Sequence, residues 1–245
     1  CLNRGCIPTK TLLDATATFD AIKHTSTIGI HAHTDPIDFP ALHQWRDHIV
    51  STMTTGLSSL LARRGVTVFR ATAALGEPHD PTGMQQRAIR LTPSPGQNDV
   101  LRINTQDSTP QGASLTINAA NVVLAMGSRP RPLPGIPFHN AIIDSTQALQ
   151  RDFPTSATII GAGAVAVEFA SMWNAAGCKV TMLIRKGRVL SGWDRRAGVT
   201  LTRELKRHGI DVIDRATVTH IDTGVNMGAL VHYTSAKDGG STEHS

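Results

Sequence analysis

Thr158-Ile159-Ile160-Gly161-Ala162-Gly163-Ala164-Val165-Ala166-Val167-Glu168-Phe169-Ala170 is the stretch that decides the fold. A β-branched apolar run meets two glycines one residue apart, and a run of alanine and apolar residues suited to a helix follows. The pattern is Gly-x-Gly-x-x-Ala laid over a strand, a tight turn and a helix. Gly161 permits the sharp reversal, Gly163 leaves backbone open to a pyrophosphate, and Ala166 is small enough for close helix–strand packing. N–H groups at the helix start would then face the phosphate charge. A tight turn with no ligand could carry the same glycines, so the flanks matter. Residues 157–160 read as strand, 164–176 as a helix closed by Gly177, and 179–184 as the next strand. This is a βαβ unit, and the chain is of α/β class.

Downstream, the second strand ends in Leu183-Ile184 and runs into Arg185-Lys186-Gly187-Arg188. An acidic residue at that place would accept a hydrogen bond from the ribose 2′-OH of NAD, whereas arginine suits the 2′-phosphate of NADP. Here three cations stand and no acid, so charge favours NADPH. A solvated basic turn is the other reading. Asp194 is placed to cap a helix running to His208, with Gly209 as its stop. Residues 211–213, 217–221 and 230–233 are β-like.

Upstream, the text has three parts. A helix over 7–27 follows from Pro8 in its first turn, with Leu12, Leu13, Ala17, Phe19 and Ile22 on an amphipathic pattern. A second helix over 41–64 follows from Leu42, Trp45, Ile49, Met53, Leu57, Leu60 and Leu61, closed by Gly65. Short β-like runs then lie at 66–69, 88–91, 100–103, 115–117 and 122–125, separated by turn-rich segments such as 77–83 and 93–96. They predict a β-meander inserted in the first domain. The proline-rich run 129–135 begins an interdomain connection, which gives domains of 1–143 and 144–245.

Two of the three cysteines, Cys1 and Cys6, stand at the front of the chain. On an ideal helix their Cα atoms would be about 8.6 Å apart, whereas a disulfide needs roughly 4.4–6.8 Å. A bridge therefore requires an irregular segment before the helix, and Gly5 supplies the freedom for one. A helix starting near Pro8 would leave Cys6 at its positive end, where a thiolate is stabilised. The spacing leaves two readings: a reversible dithiol/disulfide pair, or two ordinary buried cysteines.

Composition narrows the classes. The chain has 245 residues, 40% of them hydrophobic, and a formal net charge of +5. The basic excess is scattered, so nucleic-acid binding is not indicated. No apolar run reaches the roughly 18 residues of a membrane span, no signal peptide is visible, and a cytoplasmic location is expected. Three cysteines exclude a secreted disulfide scaffold. The start at Cys1 and the polar stretch 239–245 at the end mark an internal piece of a longer protein.

The decapeptide Cys1-Leu2-Asn3-Arg4-Gly5-Cys6-Ile7-Pro8-Thr9-Lys10 resembles the active-site segment of the class I flavin-dependent pyridine nucleotide-disulfide oxidoreductases. The likeness continues through Val123-Leu124-Ala125-Met126-Gly127-Ser128-Arg129-Pro130, similar to the family's second flavin-domain signature. It reaches the glycine turn at 159–170, similar to the NAD(P) fingerprint. The resemblance implies a Rossmann-like FAD/NAD(P)-binding fold of two domains, both incomplete here, with FAD beside the disulfide and NAD(P)H on the opposite face of the flavin. It makes Cys1 the interchange thiol, Cys6 the charge-transfer thiol, and Lys10 a flavin neighbour paired with Glu168. Cofactor contacts fall on Lys10, Ala125, Gly127, Ser128, Gly161, Gly163, Ala166, Glu168, Arg185 and Lys186, and no metal is implied.

Met126 departs from the family's usual threonine, and none of the 11 histidines lies in the His-x-x-x-x-Glu context of the catalytic base. The first flavin βαβ unit and the C-terminal dimerisation domain are expected outside this chain, so the piece is expected to be inactive alone. Arg4, the segment Gly56-Leu57 to Gly65, and Phe169-Ala170-Ser171-Met172-Trp173-Asn174 look most like dihydrolipoamide dehydrogenases, whose substrate is a small-molecule or lipoyl-domain dithiol. Ile184-Arg185 looks like the NADPH-dependent glutathione and mycothione reductase branch, although Ser191 stands where that branch has a second arginine. A non-catalytic remnant is the third alternative.

Overall fold

The computed structural model describes residues 1–78, 87–98, 100–102, 109–224 and 228–236. In chain order the elements are α1 (Cys6–Lys23), a 3₁₀ turn (Thr25–Ile28), α2 (Phe39–Arg63), β1 (Phe69–Arg70), β2 (Thr72–Pro78), β3 (Arg87–Thr92), β4 (Leu101–Arg102) and β5 (Leu115–Ala119). Then come α3 (Ser145–Ala148), β6 (Ser156–Ile160), α4 (Ala164–Ala175), β7 (Lys179–Ile184), α5 (Arg195–Arg207), β8 (Asp211–Asp214), β9 (Ala216–Thr223) and β10 (Ala229–Ser235). They form two compact units, Cys1–Met53 with Pro130–Ser245, and Thr54–Arg129.

The first unit is built on a parallel sheet of order β6-β7-β8. Val180, Thr181, Met182, Leu183 and Ile184 of β7 are all buried, the continuous apolar run expected of a central parallel strand covered on both faces. Helix α4 returns the chain from β6 to β7 and carries Val167, Phe169, Ala170, Met172 and Trp173 into the core. Phe169 and Trp173 meet edge to face at 5.4 Å between centroids, a favoured geometry for an aromatic pair.

Helix α1 lies against α4 and buries Pro8, Thr9, Leu12 and Thr16. Leu12 is fully enclosed in the cluster with Phe169, Met172 and Trp173, so truncating it to alanine would cost about 2–5 kcal/mol. The hairpin of β9 and β10 closes a second small core of Leu183, Ala216, Val231 and Tyr233. Asp144 and Gln147 form a reciprocal capping box at α3, a short helix that the apolar pattern does not disclose.

The second unit holds an antiparallel sheet of order β2-β3-β5 and the two-residue pair β1–β4. Helix α2 ends in it at Gly65, φ +68°, where Gly65 N–H donates to the Ala62 carbonyl and Val66 N–H to the Leu61 carbonyl, as the C′ glycine rule requires.

Several sequence expectations need adjustment. The first helix stops at Lys23, and its expected last turn is the 3₁₀ segment. The strand expected at 66–69 is only Phe69–Arg70. Strand β2 was not foreseen: Ala73-Ala74-Leu75-Gly76 has no β-branched residue, and its ladder to β3 holds it extended. A Cβ at Gly76 would lie 3.3 Å from the Ala88 Cβ and carbonyl, so the close pairing favours glycine there.

Residues 122–125 form no strand, because among the described residues none pairs with them. Val123, Leu124 and Met126 are accordingly exposed. Residues 79–83 of an expected turn, Ile103 of an expected strand and the tail 239–245 lie outside the described residues.

Candidate active site

Cys1 and Cys6 are joined as a disulfide with Cα atoms 4.6 Å apart. The irregular segment that this requires is residues 2–5, and α1 begins at Cys6 itself, one residue ahead of the expected start. The bridge is reinforced by backbone: Ile7 N–H donates to the Cys1 carbonyl at 3.2 Å, and Thr9 N–H to the Gly5 carbonyl at 3.1 Å. Pro8 has no N–H to satisfy. The Cys1 carbonyl therefore supplies the cap that no side chain provides, and what remains at the helix start is the Cys6 N–H and the helix dipole.

Lys10 follows Cys6 by four residues, so the two lie on one face of α1. Its Nζ is 2.5 Å from Oε1 of Glu168 on α4, with side chains 55% and 26% exposed. The packing of α1 on α4 through Leu12 brings these two positions together. The cysteine pair, Lys10 and Glu168 thus belong to one rigid corner of the first unit.

At the glycine turn, Gly161 has φ +149°, and a Cβ there would stand 3.4 Å from that of Ala166. Both the first glycine and the small third position of the motif are thereby explained. Gly163 caps α4 without a side-chain bond, and nothing lies within 4 Å of where its Cβ would be. The turn is open to a ligand there. A cavity of about 740 Å³ adjoins it, lined among others by Ile160, Gly163, Val165, Ala166 and Phe169.

Arg185 and Lys186 are exposed just beyond β7, while Ile184 is fully buried. Arg188 behaves differently: one guanidinium nitrogen donates to the carbonyls of Ser191 and Trp193, both at 3.2 Å. Sequence reasoning missed this, because a third cation in a basic run looks interchangeable with the first two. It also missed Asp214, whose register opposite Ile184 across β7–β8 brings its Oδ2 to 3.9 Å from a Cβ at Gly187. That neighbour could be found only by aligning the strands.

Ala125, Gly127 and Ser128 belong to the second unit. All three are exposed, and Gly127 has φ +75° with open space where a Cβ would be. The third cysteine, Cys178, is buried, and burial pushes its thiol up to about 11, which leaves it inert.

A bridged cysteine pair at a helix start and an open glycine turn on a parallel sheet define an α/β protein of the FAD/NAD(P)-binding fold class. The chain belongs to the pyridine nucleotide-disulphide oxidoreductase family, whose profile matches residues 1–243. It is 30% identical over 228 residues to a dihydrolipoyl dehydrogenase of Chlamydia pneumoniae, covering 93% of this chain and 44% of that one. It is 31% identical over 238 residues to that of Chlamydia muridarum, covering 96% and 45%. The crystal structure of LpdA from Mycobacterium tuberculosis shares the fold with a TM-score of 0.77 at 21% identity, over 99% of this chain and 48% of its own. The chain thus spans a little under half the length of these relatives. Among the described residues, no helix is long and apolar enough to cross a membrane.

Proposed function

We propose that this chain is a segment of a dihydrolipoamide dehydrogenase-like flavoprotein, with residues 1–143 belonging to its FAD domain and 144–245 to its NAD(P) domain. The observation that carries the reading is the corner joining the Cys1–Cys6 disulfide, Lys10 and Glu168. A thiolate of the substrate dithiol attacks Cys1 Sγ, forming a mixed disulfide and releasing Cys6 as thiolate at the helix start. The second substrate thiolate then attacks its own mixed-disulfide sulfur and releases Cys1. The substrate leaves as a disulfide, and its electron pair stays on the two cysteines.

The residues fit the cofactors this reading needs. Ala125, Gly127 and Ser128, in the segment that resembles the family's flavin-domain signature, would contact FAD. Lys10, fixed by Glu168 on the Cys6 face of α1, would hold a positive charge beside the flavin ring. A bound flavin supplies two-electron chemistry between thiolate and nicotinamide. The open backbone at Gly163, with Gly161 and Ala166, would take the dinucleotide pyrophosphate on the first turn of α4. The base that deprotonates the substrate, and the face for homodimerisation, lie outside this chain, and the parent works in the cytoplasm.

A second reading, an NADPH-dependent reductase of a low-molecular-weight disulfide, draws on Arg185 and Lys186 beside the apolar Ile184. One comparison tests both: the full-length protein assayed with dihydrolipoamide and NAD⁺, and with glutathione or mycothiol disulfide and NADPH. Dihydrolipoamide oxidation that disappears in Cys1→Ser supports the first reading. Turnover retained in Cys1→Ser, or none with any substrate, sinks both.

A further inference from the structure

The connection between β7 and α5 is tied down along its length. Leu190 N–H donates to the Ala162 carbonyl at 2.7 Å, and Ala162 is the residue between the two glycines of the nucleotide turn. Val189 N–H donates to Thr202 Oγ1 at 3.1 Å, and that hydroxyl donates to the Gly198 carbonyl at 2.7 Å, which fastens the connection to α5. Leu190 itself sits at φ +48°, a conformation that a leucine keeps only where its surroundings impose it.

Arg188 braces the same bend from the side chain. Its guanidinium spans the bend by donating to the Ser191 and Trp193 carbonyls. Its Nε is buried and makes no hydrogen bond. The side chain lies over Gly198, where a Cβ would stand 2.9 Å from Nε and 2.7 Å from the Val189 carbonyl. Arg188 thus faces inward on a surface that only glycine allows, while Arg185 and Lys186 face solvent.

We propose that Arg188 is a positioning residue of the dinucleotide site: it holds residues 185–194 in one shape against the glycine turn, so that Arg185 and Lys186 are presented to the adenosine-end phosphate while Arg188 never touches it. The proposal rests on the dinucleotide reading above in its NADPH form, the second of the two readings. It divides three neighbouring cations that charge alone makes equivalent. A lysine cannot replace Arg188, because a single ammonium does not reproduce the planar guanidinium seated between the two carbonyls and the Gly198 surface.

The test measures NADPH and NADH affinity of the purified protein by calorimetry, together with the rate of trypsin cleavage after Arg185 and Lys186, located by mass. The variants are Arg188→Lys, Arg188→Gln, Arg185→Ala and Gly198→Ala, the last crowding both the Val189 carbonyl and Arg188 Nε without altering any charge. Arg188→Lys, Arg188→Gln and Gly198→Ala are expected to lose the NADPH-over-NADH ratio alike, roughly tenfold, and to be cleaved faster. Arg185→Ala, which removes the tryptic site at that residue, is expected to lose the ratio with cleavage after Lys186 unchanged.

An Arg188→Lys variant that keeps the ratio while Arg188→Gln loses it would make Arg188 a direct phosphate ligand and overturn the proposal. Equal affinity of the unaltered protein for the two nucleotides, or tighter binding of NADH, overturns it as well, and the latter leaves the first functional reading standing. If the protein binds neither nucleotide, the dinucleotide reading fails by itself, and unchanged proteolysis in the Arg188 variants would separately remove the strut.

Discussion

Lys10 on α1 and Glu168 on α4, 158 positions apart in the chain, meet with Nζ 2.5 Å from Oε1. The pair is too exposed to stabilise the fold by more than about 0–1 kcal/mol. Under the proposed function, its use would be to fix where the Lys10 charge stands relative to Cys6. Glu168→Gln should leave the melting temperature nearly unchanged while lowering kcat of the full-length protein about tenfold or more, roughly 1.4 kcal/mol of barrier. Stopped-flow reduction beside thermal melts separates the two effects. A large fall in stability with unchanged kcat would make the pair purely structural.

The three cysteines should divide sharply in reactivity. After mild reduction, Cys1 and Cys6 are expected to alkylate quickly. Cys178, buried with its thiol pushed up to about 11, should react only on unfolding. Mass spectrometry with and without denaturant counts them. Reducing the bridge should also cost about 2 kcal/mol of stability for a loop closed between residues five apart.

The two glycines of the turn should fail in different ways. Gly161→Ala forces a side chain onto φ +149°, at a cost of about 1–3 kcal/mol in stability. Gly163→Val places its Cβ where no other part of the protein comes within 4 Å. It should fold normally and bind dinucleotide at least roughly tenfold more weakly. Melting curves and calorimetry on both variants check the contrast, and tight binding by Gly163→Val would refute the phosphate role of that position.

On the β9–β10 hairpin, His220 and His232 donate to the two oxygens of Asp222 at 2.7 and 2.9 Å. The hydrogen bond from His220, then that from His232, holds the Asp222 carboxyl below its usual 3.8. A depressed carboxyl pKa contributes stability that is fully present above 3.8 and is lost as pH falls through the lower folded value. The difference in urea midpoint between the wild type and Asp222→Asn should therefore be present at pH about 7 and vanish at about 2. A difference that persists in acid would assign it to packing.

Much of this was legible from the residues. Strand β7 came out at its observed bounds, and the helices that follow Gly163 and Asp194 began where glycine and cap chemistry place them. Such signals are local, and short stretches carry them whole. What failed depended on partners. Residues 122–125 have the composition of a strand but, among the described residues, no neighbour to pair with, whereas 72–78 lack it and are held extended by β3. In the site, the need for an irregular 2–5 segment followed from distance alone. The inward turn of Arg188 and the approach of Asp214 did not, because both depend on Gly198 and on the register of β8.

The bond from Ile7 N–H to the Cys1 carbonyl joins main chain to main chain, so it does not depend on the oxidation state of the sulfurs. If this tether outlasts the opening of the bridge, it keeps the two thiols as near neighbours. Ring closure then begins from a state already ordered for it, which raises the effective molarity of one sulfur toward the other. The segment can cycle between open and closed without a search through loose conformations.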